Sequence, residues 1–180
     1  MLEITIPGVE LWDERNQLFI TREAQTLKLE HSLVSLSKWE SKWCKPFLTK
    51  DDKTDEEILD YIKCMTITQN VSPETYLCLT PENNLEIQNY INAPMTATTF
   101  PADNTRGGGR EIVTAELIYY WMISLNIPLE WEKRHLNRLL ALIRVCNIKN
   151  APPKKHSTKD LMSRNAALNA ARRKQLNSKG

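Results

Sequence analysis

Residues 54–66 read Thr-Asp-Glu-Glu-Ile-Leu-Asp-Tyr-Ile-Lys-Cys-Met-Thr, and the run opens with a helix-start signal. The Thr54 hydroxyl is placed to accept from the Glu57 amide while the Glu57 carboxylate reaches back to the Thr54 amide, the reciprocal pattern of a capping box. Asp55, Glu56 and Glu57 favour the positive end of the helix dipole. Ile58, Leu59, Ile62 and Met65 recur at helical spacing, which predicts a helix buried along that stripe and ending near Thr66.

The same signals extend in both directions. Upstream, Ser32 is set to cap a helix running to about Trp43, with Leu33, Leu36, Trp39 (or Glu40) and Trp43 on one stripe, and Lys50–Thr54 forms a polar loop. Trp39 and Trp43 read as core rather than as an exposed stripe, as do Tyr119, Trp121 and Trp131, because each ring buries a large apolar area. Further upstream, residues 2–6, 17–21 and 25–29 alternate apolar and polar, the signature of half-buried strands, so a small N-terminal sheet of two or three strands is expected.

Downstream, Ser72-Pro73-Glu74 and Thr80-Pro81-Glu82 each set a hydroxyl before a proline and an acid. Proline at the first helical position gives up an amide that has no intrahelical partner. These signals predict a short helix over 73–78 and a second over 81–91, the latter turning Leu85, Tyr90 and Ile91 inward. Pro94, Pro101 and Gly107-Gly-Gly109 make 92–110 a long loop. Two amphipathic helices follow, one over 111–125 carrying Ile112, Ala115, Tyr119, Met122 and Ile123. The other covers 130 to about 147 with Trp131, Leu136, Leu139, Leu140 and Ile143. The short turn between them predicts an antiparallel pair.

Pro152-Pro153 closes this body, and the charge changes sign nearby. Residues 147–180 hold nine Lys or Arg against Asp160 alone, for +8, whereas residues 1–146 hold 15 basic and 21 acidic side chains, for −6. The expected architecture is therefore α-rich α+β: short N-terminal β-strands, then a helical bundle, then a basic C-terminal tail or helix. Residues 1–150 form the globular body, and 151–180 a basic tail that becomes helical on binding. No internal repeat is visible.

Several function classes find no support in these residues. The opening MLEITIPGVELWDERN has no basic start leading into an apolar stretch, so no secretory signal is expected. The most apolar run, Ile112–Leu125, is interrupted by Thr114, Glu116 and Ser124, which argues against a membrane span. Cys44, Cys64, Cys78 and Cys146 form no C-x-x-C pair and sit beside apolar residues, which suits reduced, buried side chains. His31, His135 and His156 are far apart in sequence and read as surface or helix-end residues, so no metal and no cofactor is expected. No nucleophile motif accompanies them, and a non-catalytic protein is the expectation.

Binding residues are the remaining candidates. Arg106 and Arg110 flank the glycine triplet ahead of a helix, a place where amides hold phosphate, although a bare Gly-Gly-Gly reads more readily as a linker. Lys154, Lys155, Arg164, Arg172, Arg173 and Lys174, with Leu168 among them, form the basic tail. Such a tail contacts nucleic acid, folds on an acidic protein surface (a second copy of the chain included), or only solubilises.

Three stretches carry a family resemblance: Gly109-Arg-Glu-Ile-Val-Thr-Ala-Glu-Leu-Ile-Tyr-Tyr-Trp121, His135-Leu-Asn-Arg-Leu-Leu140, and Arg164-Asn-Ala-Ala-Leu-Asn-Ala-Ala-Arg-Arg-Lys-Gln-Leu176. They resemble small morphogenesis proteins of tailed bacteriophages, and more narrowly the tail assembly chaperones of phages with long non-contractile tails. The resemblance implies a helical protein of the host cytoplasm that coats the amphipathic tape-measure protein until tail-tube subunits replace it. In that family a frameshift often yields a longer product. The alternative reading is a nucleic-acid-binding or virion structural (connector) protein that works through the basic tail.

Overall fold

The computed structural model describes residues 1–14, 17–100, 112–152 and 158–177. The chain divides into two compact units, Met1–Cys146 and Asn147–Gly180. The division falls inside a helix, a few residues ahead of Pro152-Pro153. The fold is the α-rich α+β arrangement expected, with short antiparallel strands followed by helices.

In the first unit, β1 (Leu2–Ile6) pairs with β4 (Gln25–Leu29), and β2 (Val9–Asp13) with β3 (Leu18–Arg22), both antiparallel. The sequence pattern located three of these strands and missed β2, whose Val-Glu-Leu-Trp-Asp lies just beyond the Pro7-Gly8 stop. The two ladders share one register. Pairing runs from Leu2↔Leu29 to Ile6↔Gln25, skips two residues on each side, and resumes in step from Val9↔Arg22 to Asp13↔Leu18. The four strands are thus the inner and outer halves of one ribbon. Its inner half turns Ile4, Ile6, Leu27 and Leu29 into the core and leaves Glu3, Thr5, Thr26 and Lys28 outside, the alternation a half-buried strand demands.

Helix α1 (Leu33–Trp43) starts at Ser32, whose hydroxyl accepts from the Ser35 amide, and α2 (Asp55–Met65) starts at the Thr54–Glu57 capping box. A 3-10 helix follows over Pro73–Cys78, where Ser72 makes no cap hydrogen bond and its hydroxyl instead donates to Glu74. Helix α3 (Pro81–Asn92) begins with a further reciprocal cap between Thr80 and Asn83. Then come α4 (Ala115–Ser124), a 3-10 turn over Leu129–Lys133, and α5 (Leu136–Asn150).

Two apolar clusters make the core. Ile4, Ile6, Leu27 and Leu29 of the ribbon meet Trp39 of α1, Tyr61, Ile62 and Met65 of α2, and Ile87 and Tyr90 of α3. Leu33 and Leu36 of α1 meet Ala115, Ile118 and Met122 of α4 and Leu136, Leu139 and Ile143 of α5. Helix α1 serves both clusters, and it packs against both α2 and α4.

Several expectations are corrected. Helix α4 begins at Ala115 rather than near Glu111, and it buries Ile118 while Ile112 and Ile123 face outward. The helix expected from residue 130 is broken at Arg134, which is extended because His135 bridges Ser32 and the Leu136 amide donates to the His31 carbonyl at 2.7 Å. Helices α4 and α5 share a core cluster, and α4 packs against α1 as well. Cys44 is exposed and the other three cysteines are half-buried, Cys64 and Cys78 packing against the first cluster. All four are free. Cys44 sits where α1 ends in a left-handed turn, with φ at 52°, which carries its side chain off the core face.

The second unit contains α6 (Thr158–Leu176). Every side chain described in it, from Met162 onward, is exposed. Among the described residues no helix is long and apolar enough to cross a membrane.

Candidate protein-binding groove

Of the stripe expected to be buried on α2, Ile62 and Met65 are buried and Leu59 is half-buried, while Ile58 lies exposed beside a groove. The helix turns Glu57, Asp60, Tyr61, Ile62 and Met65 inward and leaves Ile58 48% exposed. Polar groups win those inward places because each has a partner. Glu57 caps its own helix and meets Lys45, its carbonyl accepts from the Trp39 indole at 2.8 Å, and Asp60 accepts from Lys42 and Trp43. Burial alone raises the Asp60 carboxyl, but the Lys42 and Trp43 hydrogen bonds overcome it and hold the group below its ordinary value.

On α3, Tyr90 is buried and Ile91 half-buried as expected, and Leu85 is not. The helix buries Asn83, Ile87 and Tyr90 and leaves Leu85 57% exposed, against the expectation that Leu85 faced the core. Between α2, the Pro73–Cys78 turn and α3 lies an open cavity of about 630 Å³. Its floor is Tyr61, Ile62 and Ile87, all nearly inaccessible, and its walls include Ile58, Leu59, Leu77, Leu79 and Ile91. Polar residues are few and stand at the margins: Lys53, Asp55, Asn84 and Gln88. Lys53 is already engaged, lying over the Phe47 ring and donating to the Thr49 carbonyl. A surface of this kind binds aliphatic side chains presented at helical spacing, as in helix-in-groove recognition.

Sequence reasoning missed a second constellation. His31 and His135 are 2% and 6% exposed, not surface residues, with ring centroids 5.1 Å apart. The Ser32–His135 bridge brings them together. His31 Nδ1 lies 2.6 Å from the Tyr61 hydroxyl, and His135 Nε2 lies 3.0 Å from the Tyr90 carbonyl. The Tyr90 hydroxyl donates to Glu30, which also receives the N-terminal ammonium of Met1. Burial, and then the charge of His135, pushes the His31 pKa down to about 4. Burial likewise lowers His135, opposed by its Tyr90 contact and by Glu30. Neither imidazole lines the groove. Among the described residues, no group of three His, Cys, Asp or Glu is placed to hold a metal ion.

Of the nine binding residues expected from sequence, five are described. Arg164, Leu168, Arg172, Arg173 and Lys174 lie on α6, all exposed, whereas Arg106, Arg110, Lys154 and Lys155 fall outside the described residues. The exposed aliphatics that do mark the groove, Ile58 and Leu77, carried no separate signal: large aliphatic residues at helical spacing read as core. Comparison with protein-family models, with curated proteins and with solved structures gave no match.

Proposed function

We propose that this chain is a non-catalytic tail assembly chaperone of a long-tailed bacteriophage, acting in the host cytoplasm, and that the α2–α3 groove receives amphipathic helical segments of the tape-measure protein. The observation that carries the reading is the groove itself, an open aliphatic surface flanked by exposed Ile58 and Leu77. The resemblance of 109–121, 135–140 and 164–176 to such chaperones supplies the partner. A groove that grips apolar stripes without enclosing them suits a client that must later be handed on, because contacts of this size are reversible.

Co-expression with the tape-measure protein of the same phage is expected to raise the soluble yield of that protein and to recover both in one complex. Unchanged yield with no co-purification overturns the reading. The double variant Ile58→Asp/Leu77→Asp places charge on two exposed positions, so its thermal stability should stay within about 0.5 kcal/mol of the parent. Its affinity for tape-measure segments, measured by isothermal titration calorimetry, should fall at least tenfold, since each client side chain would then meet a carboxylate that must be desolvated.

A second reading rests on α6, which carries Lys159, Arg164, Arg172, Arg173 and Lys174 against Asp160 alone. Under that reading the helix contacts nucleic acid through phosphate. Duplex binding should then weaken on the order of a hundredfold between 50 and 200 mM salt, and vanish when residues 154–180 are removed. Absence of a gel shift at low salt rejects it.

A further inference from the structure

Helix α6 is 19 residues long and contains no aromatic ring, proline or glycine. Its side chains from Met162 onward are all exposed, so burial does not dictate their order. At about 3.6 residues per turn, Asn165, Asn169 and Arg172 fall on one face of the helix. Arg164 stands to one side of that face and Arg173 to the other, while Ala167, Ala170 and Ala171 take the back. Asparagine is a poorer helix former than the alanines around it, so helix propensity does not account for its recurrence here. Among the described residues, no hydrogen bond or ion pair engages the side chains of Asn165, Asn169 or Arg172.

We propose that α6 enters the major groove of duplex DNA, with Asn165, Asn169 and Arg172 facing base edges and Arg164 and Arg173 on the flanking phosphates. The inference rests on the second reading above and deepens it, adding sequence preference to phosphate contact. Charge complementarity selects the partner: residues 147–180 hold nine Lys or Arg against Asp160 alone, opposite in sign to a phosphate backbone. The lack of an aromatic ring on α6 removes the stacking platform that single strands use. Duplex RNA has a major groove too deep and narrow for side chains to read, whereas that of B-form DNA admits an α-helix. The residue types on the face suit that groove. An asparagine carboxamide pairs with adenine through N6 and N7, and an arginine guanidinium with guanine through O6 and N7. Arginines on either side meet the phosphates that wall the groove, which orients the helix without reading sequence. From Asn165 to Arg172 the helix rises roughly 10 Å, the length of about three base pairs. The site read is therefore short and contains adenine and guanine.

Selection by the full chain from a pool of DNA duplexes with a randomised centre tests this. The recovered duplexes should share a short motif, and fluorescence anisotropy should show one of them bound at least about tenfold more tightly than a scrambled duplex. Asn165→Ala/Asn169→Ala, shown folded by circular dichroism, should lose that preference yet bind the scrambled duplex within about twofold of the parent. Arg164→Ala/Arg173→Ala should weaken both duplexes alike and flatten the dependence on salt. Duplex binding with no shared motif, or a preference that survives Asn165→Ala/Asn169→Ala, overturns the base-reading face and leaves the phosphate reading standing. No binding to any duplex at low salt overturns both. Equally tight binding to duplex RNA of the same sequence, or to polyglutamate, assigns α6 to charge alone and overturns the proposal.

Discussion

Glu40→Ala is expected to lower the melting temperature by about 6–18 °C, corresponding to roughly 2–6 kcal/mol. Glu40 lies on α1 and is only 7% exposed, yet it has no Lys or Arg partner among the described salt bridges. Its carboxylate instead accepts two backbone amides, Phe47 N at 2.8 Å and Ala115 N at 2.7 Å. The second contact matters more. Ala115 is the first residue of α4 and wholly buried, and Thr114 ahead of it offers no side-chain cap. Glu40 is therefore the cap of α4, supplied by a different helix, and a carboxylate at that end is favoured by the dipole as well. Truncation leaves two amides without an acceptor, each costing about 1–3 kcal/mol. Glu40→Gln should cost less than Glu40→Ala, because the amide oxygen still serves one of the two donors. Calorimetric melts of the three proteins decide the matter: equal melting temperatures for Glu40→Ala and the parent would sink it.

This residue also shows where the sequence stops being readable. The caps at Ser32, Thr54 and Thr80 were legible because donor, acceptor and helix start all lie within three or four residues. Strands β1 and β4 were legible because their alternation is local. The cap of α4 was not, since its two halves lie in α1 and α4 and meet only after folding. A similar limit explains why Ile58 of α2 and Leu85 of α3 are exposed. Helical spacing assigns the largest aliphatics to the core, but on α2 the inward places go to Glu57, Asp60 and Tyr61 because Lys45, Lys42, Trp43 and His31 wait for them there. The displaced Ile58 then becomes part of a groove wall. The candidate site is thus a tertiary consequence of charge pairing between α1 and α2. The basic tail, by contrast, was visible in composition alone, because an exposed helix such as α6 needs no partner to be recognised as charged.

The second large effect concerns pH. Stability should fall by about 3 kcal/mol as pH drops from 7 towards 4, with the loss set mainly by His31. The folded protein holds the His31 pKa at about 4, below the 6.5 of an unperturbed imidazole. Between those values the unfolded chain binds a proton at this site that the folded chain refuses. The unfolded state therefore carries more protons across that window, and stability rises with pH through it. Above 6.5 both states are neutral there and the dependence ends. His135 acts in the same direction, its pKa also being lowered by burial. The carboxylates held below their ordinary values, Glu57, Asp60 and Glu82, lose their contributions only at lower pH, as it passes through and below the usual carboxylate range. The decline between pH 6.5 and about 5 is thus separable from carboxylate titration. Urea unfolding at closely spaced pH values reads it directly. His31→Asn gives up part of the Tyr61 contact and should be less stable at pH 7, yet it should flatten the slope between pH 6.5 and 4. An unchanged slope in that variant would show that the acid sensitivity arises elsewhere. The two imidazoles lie where both core clusters meet the start of α5, so the charge that forms there should loosen the whole first unit together. Tryptophan fluorescence and far-ultraviolet circular dichroism should report one coincident transition.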